Sequence, residues 1–142
     1  MDVKVKRLTP TAILPTQSHP GDAGWDLYSD MDAIIEPGAT VKIGTGIALE
    51  LPDGTFGGIY ARSGWATNRG LRPANCVGVC DCQYRGEYIV PLYNDSPCAQ
   101  DIHKGERIAQ LIIQPFCSAD LRESQDLNET ERGNGGFGST GA

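Results

Sequence analysis

No uninterrupted apolar run in the 142-residue sequence approaches the roughly 18 residues that a membrane-spanning helix requires. Cations are outnumbered, with 12 Lys and Arg against 18 Asp and Glu and a net charge of -6. That balance works against direct nucleic-acid binding, which depends on a surplus of phosphate-neutralising side chains. Any phosphate handled here needs a local site. Histidine is scarce, and His19 and His103 are too isolated to build a histidine metal site, so both are expected at the surface. None of the five cysteines (Cys76, Cys80, Cys82, Cys98, Cys117) forms a Cys-x-x-Cys pair, and they read as reduced thiols. Also missing are the Gly-x-x-x-x-Gly-Lys-Ser/Thr phosphate loop, the Gly-x-Ser-x-Gly elbow and the His-Glu-x-x-His helix. The N-terminal residues Met1 to Lys6 alternate in charge and read as a strand, not as a signal peptide, which makes a cytoplasmic location the default expectation. The length suits one domain.

Helical periodicity is nearly absent too, and strands take its place. Between Thr40 and Leu51, Val41, Ile43, Ile47, Leu49 and Leu51 share one parity, predicting a half-buried strand. It runs into Pro52-Asp53-Gly54, whose Asp-Gly pair favours a hairpin, with a second strand resuming over Thr55 to Ala61. Further strands are expected around Val3 to Leu8, Trp25 to Ser29, Ala33 to Ile35, Val77 to Cys80, Glu87 to Tyr93 and Arg107 to Gln114. Turn residues separate them at Pro37-Gly38, Asn94 to Pro97 and Lys104-Gly105. A single short helix is credible, capped by Ser63, running over Gly64 to Arg69 and stopped by Gly70. Many short strands with so little helix make an all-β sandwich or barrel.

Polar groups concentrate in four places. Over Gly21 to Ser29 an acidic residue alternates with apolar ones, and Asp26 could be solvated or could serve a metal. Ala61 to Ala66 sets a guanidinium, a hydroxyl and a helix N-terminus side by side, which fits an anion or a simple cap. Asn75 to Gly86 is turn-rich and carries Asp81, which alone could be a surface carboxylate or a base. Cys80 and Cys82 would share a face there and pack, with Asp81 on the other. From Asn128 to Ala142 one large apolar residue, Phe137, stands among glycines, too little to offset its ordering entropy. That segment reads as a frayed terminus or as a lid that orders on a phosphate ligand.

These segments and one more resemble the five motifs of the trimeric dUTPase family, in order and across nearly the whole chain. They are Ala23-Gly24-Trp25-Asp26-Leu27-Tyr28-Ser29, Ala61-Arg62-Ser63-Gly64-Trp65-Ala66, Gly78 to Glu87, Lys104 to Leu111 and Arg132 to Gly141. The resemblance implies a jelly-roll-like β-barrel over residues 1–127, with a flexible Gly-rich lid over 128–142. It implies hydrolysis of dUTP to dUMP and pyrophosphate, which limits uracil in DNA and supplies dUMP for dTMP synthesis. By the same resemblance Asp81 is the general base for the attacking water, and a hairpin over Asn75 to Cys80, including Gly78 and Val79, reads uracil. Tyr84 packs under the deoxyribose; Arg62, Ser63, Gly64 and Gln110 hold the phosphates. Arg132, Gly138, Ser139 and Thr140 close over them from the tail while Phe137 stacks on the base. Magnesium bridges the phosphates, with Asp26 reaching it through coordinated water, and homotrimers share their active sites.

The chain departs from the family pattern at Ala61, Trp25, Trp65, Cys80 and Cys82, none of which removes a functional group. Cys80 and Cys82 flank the proposed base, so oxidation there could disturb the hairpin. A dCTP deaminase-like enzyme shares the fold and phosphate logic but fits the Asp81 to Tyr84 spacing less well. A nucleotide-binding regulatory protein would not need Asp81 intact, and a structural jelly-roll subunit would leave the Arg132 to Gly141 motif unexplained.

Overall fold

The computed structural model of the chain describes residues 1–139 and 141. Eleven strands follow in order: β1 Lys4–Arg7, β2 Trp25–Tyr28, β3 Ala33–Ile35, β4 Thr40–Gly44, β5 Ile47–Glu50, β6 Thr55–Tyr60, β7 Leu71–Pro73, β8 Gly78–Asp81, β9 Ile89–Asn94, β10 Gln100–Ile102 and β11 Arg107–Pro115. The only helical element among the described residues is a π-helical turn, Trp65–Arg69, between β6 and β7. The fold is all-β and jelly-roll-like, as expected, and no helix among the described residues is long and apolar enough to cross a membrane.

The strands form four small antiparallel sheets around one core: β2-β11-β6-β8, β4-β9-β7, β1-β5 and β10-β3. Inward residues of several sheets meet at the centre, among them Leu27, Ile43, Ile59, Val90, Leu92 and Leu111, all nearly or fully buried. Burying a side chain of this size contributes about 1.5–3 kcal/mol each, so the core, and not strand propensity, holds the short strands in place.

Two expectations are corrected. The parity run from Thr40 to Leu51 is two strands, because Gly46 turns with φ 68° and moves the chain from β9 to β1 as partner. A Cβ on Gly46 would lie 2.7 Å from Asp30 Oδ2 and 2.8 Å from the Ala12 methyl, so only glycine fits. The alternation survives the break because both halves still face one core. Pro52-Asp53-Gly54 makes a turn, with Thr55 N–H donating to Pro52 O at 3.2 Å, but no hairpin: β5 pairs with β1, while β6 pairs with β8 and β11. The sequence pattern also missed β7 and β10, each only three residues long. β10 follows a loop pinned by fully buried Asn94, whose amide donates to Ile35 O (2.8 Å) and Cys98 O (2.7 Å).

Regular structure ends at Pro115, well before residue 127. Phe116 N–H still donates to Gly54 O at 3.1 Å, the backbone bonds of the described residues after it close only local turns, and Phe116, Leu121, Leu127 and Phe137 are exposed.

Candidate active site

Strand β8 is the edge of its four-stranded sheet, so one row of its backbone N–H and C=O groups has no sheet partner. Beside it opens a cavity of about 230 Å³, lined by Ile59, Asn75, Gly78, Val79, Cys80, Asp81 and Tyr84, with Glu87, Tyr88 and Ile89 closing the far side. A free backbone edge next to exposed Val79, Ile89 and Tyr84 suits a flat heterocycle, whose rim takes hydrogen bonds and whose faces are apolar. The expected hairpin over Asn75 to Cys80 is a tight turn instead, since β7 and β8 belong to different sheets. Val77 N–H donates to Asn75 O at 2.7 Å, and Cys76 takes φ 63° at the apex. That turn lays the Asn75 amide over Gly78.

The far wall is anchored to the Gly46 break. Glu87 Oε1 accepts from Gly46 N–H at 2.8 Å, Thr45 Oγ1 donates to Tyr88 O, and Tyr88 N–H donates to Ile47 O at 2.9 Å. Tyr84 is exposed, but its hydroxyl donates to Glu87 O at 2.9 Å and its ring packs against Tyr88, 6.1 Å between centroids. Tyr88 is 1% exposed, and its hydroxyl is the one buried side-chain polar atom without a hydrogen-bond partner among the described residues. Burial, and then neighbouring Cys80, push its ionisation well above the ordinary tyrosine range. Cys80 and Cys82 are partly buried against the core while Asp81 is exposed, as their parity predicts, and all five cysteines are free. Burial raises the Cys80 thiol above its usual value, which leaves little thiolate for oxidation at neutral pH.

A second cavity, about 450 Å³, is lined by Gly24, Asp26, Arg62, Ser63, Gly64 and Gln110 together with Ser18, Asp22, Ala23 and Ile112. Asp26 and Gln110 face each other across β2 and β11, and Gln110 faces Tyr60 on β6, two residues before Arg62. Gln110 Nε2 donates to Ala61 O at 2.8 Å. Its carbonyl end lies where a Cβ on Gly24 would stand, so the glycine makes room for the amide. Ser63 does not cap the helical turn as expected: no side chain caps it, and Thr67 Oγ1 donates back to Ser63 O at 2.7 Å. Gly70 does end it, with φ 67° and its N–H donating to Trp65 O.

Asp26 is an ion-pair hub. Arg62 Nε donates to Oδ1 at 2.9 Å and Arg107 Nη1 to Oδ2 at 3.3 Å. The carboxylate expected to face a metal-bound water therefore has a guanidinium on each oxygen. Among the described residues no group of three or more His, Cys, Asp or Glu converges as a metal cage. This donor set does not fit a magnesium ion held directly at Asp26, since the ion would stand beside two guanidinium charges with one buried carboxylate to offset them.

The cavities do not meet within the chain. Asp81 lies opposite Phe56, four residues along β6 from Tyr60, and Asp26 lies two strands beyond β6. Strand spacings then put the two carboxylates roughly 20 Å apart. The tail residues stand clear of both: Arg132 Nε donates to Gly135 O at 2.9 Å, and Phe137, Gly138 and Ser139 are exposed. Thr140 lies outside the described residues. Sequence reasoning placed Glu87 in the third motif without a role and singled out neither Tyr88 nor Arg107, which carried no signal beyond their motif neighbours.

Comparison with known proteins bears on what such a pair of cavities serves. The dUTPase family model matches residues 11–141. The deoxyuridine 5'-triphosphate nucleotidohydrolase of Rhodococcus erythropolis is 47% identical over 142 residues, covering 99% of this chain and 87% of its own. That of Corynebacterium diphtheriae is 49% identical over 140 residues, covering 98% and 92%. Among solved structures, the Staphylococcus bacteriophage 80alpha dUTPase with dUPNHPP aligns with a TM-score of 0.92 at 29% identity, covering 99% of each chain.

Proposed function

The chain belongs to the dUTPase family and is a dUTP diphosphatase, and we propose that it works as a homotrimer whose active sites each combine the base cavity of one chain with the anion cavity of another. The observation that carries this is the separation of the two cavities. A general base must reach the attacking water directly or through one water molecule, and Asp81 lies roughly 15–20 Å from Arg62, Gln110 and Asp26 of its own chain.

In this reading uracil enters along the edge of β8. The free backbone groups of Gly78 and Val79 and the Asn75 amide meet its rim. The Tyr84 ring, held by its bond to Glu87 O, lies under the deoxyribose, where a 2'-hydroxyl would collide with it. Asp81 takes a proton from water, which attacks the α-phosphorus as the bond to the bridging oxygen breaks and pyrophosphate departs. Arg62, Ser63, Gly64 and Gln110 position the triphosphate and offset its charge. The free Ser63 hydroxyl, spared from capping, suits that task.

Residues 1–127 serve as the barrel and 128–142 as the lid, with Arg132, Gly138, Ser139 and Thr140 reaching the β- and γ-phosphates and Phe137 stacking on the base. The exposure of Phe137 supports this reading, because an aromatic ring with no internal partner is free to cover a ligand. Family members are generally magnesium-dependent, and the ion would come as the counter-ion of the triphosphate, lowering its charge while keeping several waters. In a cell the reaction would limit uracil in DNA and supply dUMP.

The test is pyrophosphate release from dUTP, dTTP, dCTP and UTP in parallel, with magnesium and with a chelator. Release from dUTP alone, lost on chelation, is expected. Ammonia from dCTP, or release from none, would contradict the reading.

A further inference from the structure

The partner of Gln110 on β2 is Asp26, and that of Ala109 is Leu27, so regular pairing would set Ile108 opposite Tyr28. Instead Arg107 stands opposite Tyr28, and the register shifts between Arg107 and Ala109. A bulge of this kind puts two residues against one and turns the side chains before it onto the other face. Consecutive burial of Ile108 and Ala109, against strict alternation, marks the same irregularity. Arg107, three residues from Gln110, would point away from Asp26 in a regular strand. The bulge brings it onto Asp26 Oδ2 at 3.3 Å, while Arg62 Nε holds Oδ1 at 2.9 Å.

We propose that Arg107 and Asp26 are positioning residues for the triphosphate: they form a bulge-built clamp that aims the Arg62 guanidinium into the anion cavity, and Asp26 acts through the arginines and not through a metal ion. This rests on the dUTPase reading of that cavity.

The Asp26 side chain is only 11% exposed, so its charge needs a fixed counter-ion. Arg62, 24% exposed, gives Asp26 its Nε edge, which leaves its terminal nitrogens for an anion. One of these, Nη1, touches Arg107 O only weakly, at 3.4 Å. Arg107 is 48% exposed, and its charge leaves the cluster of two guanidiniums and one carboxylate net positive. Without the Arg107 side chain the pair Arg62–Asp26 would be neutral, and Asp26, held at Oδ1 alone, would be less firmly fixed as the anchor of Arg62.

The experiment uses the intact enzyme and its Arg107→Gln, Arg107→Lys and Asp26→Asn variants, each checked for native melting behaviour. Binding of α,β-imido-dUTP is measured by calorimetry in chelator and in magnesium, alongside the magnesium concentration for half-maximal turnover. Loss of a charge-assisted contact should weaken nucleotide binding by about tenfold in Arg107→Gln and Asp26→Asn, in chelator as well as in magnesium. Arg107→Lys should recover part of it, and half-saturation by magnesium should not move. Unchanged affinity in chelator, or a magnesium requirement raised by Asp26→Asn, would overturn the clamp while leaving the dUTPase reading in place. If the wild-type protein neither bound the analogue nor hydrolysed dUTP, the reading itself would fail, and the clamp with it.

Discussion

The base cavity and the anion cavity flank one sheet and are built from opposite materials. At β8 the working surface is an open backbone edge, apolar side chains and one carboxylate, held from behind by hydrogen bonds to Gly46, Thr45 and Ile47. At Asp26 it is made of side chains, two guanidiniums and an amide, fixed by ion pairs and by a glycine that leaves room. A neutral heterocycle is distinguished by donor and acceptor placement, which backbone fixes rigidly. A polyanion is held by charge, which needs long side chains whose freedom has to be removed by partners. The first device should therefore be sensitive to the backbone around it, and the second to single side-chain contacts.

Asp81→Asn should have the largest effect, lowering kcat by about 10²-fold or more, the usual worth of a general base, while calorimetry shows α,β-imido-dUTP still bound. Truncation after Glu131 removes the part of the lid that carries Arg132 to Gly141 and leaves the barrel whole. It should leave the trimer intact by light scattering and cost about 10²-fold in turnover through lost positioning; normal turnover would remove the tail from the account. Gly46→Ala strikes the backbone behind the base cavity. A strained left-handed residue and contacts below 3 Å should cost about 2–4 kcal/mol, read from urea unfolding, and weaken nucleoside binding more than inorganic triphosphate binding. Gly24→Ala strikes only the anion cavity: displacing the Gln110 amide should raise KM for dUTP by about tenfold and leave unfolding nearly unchanged.

The smallest effect belongs to Asp30, whose carboxyl is held below the ordinary aspartate value of 3.8, chiefly by the Thr9 hydroxyl and further by Thr11 and Lys104. A depressed carboxyl stabilises the fold above its unfolded value, so this contribution is present at neutral pH. It is lost as pH falls below 3.8 and through the lower folded value. Asp30→Asn should flatten that part of the acid unfolding profile, and an unchanged profile would count against it.

Period-two patterning made most strands and the all-β class legible, because alternating burial is a local property of the chain. Strand partners were not legible. The Asp53-Gly54 pair looks like a hairpin turn, yet the core rewards sending β6 to β11 and β8, a choice made by distant residues. Asn75, Gly78, Asp81 and Tyr84 are close in sequence, so one motif was enough to group them as candidates. Arg107 was hidden by its parity, since three residues from Gln110 means the opposite face until a bulge intervenes. The roles of Glu87 and Tyr88 were not legible because their task, bracing a wall against Gly46 and Thr45, spans some forty residues of chain.

The sharing of one active site between chains is tested most directly by mixing two inactive proteins, Asp81→Asn and Arg62→Ala, unfolded together and refolded beside a wild-type control. Random reassembly should pair an intact base cavity with an intact anion cavity in roughly a quarter of the sites, restoring about that share of wild-type dUTP hydrolysis. If the mixture stayed as inactive as its components while the control recovered, each chain would be using both of its own cavities, and the account would be contradicted.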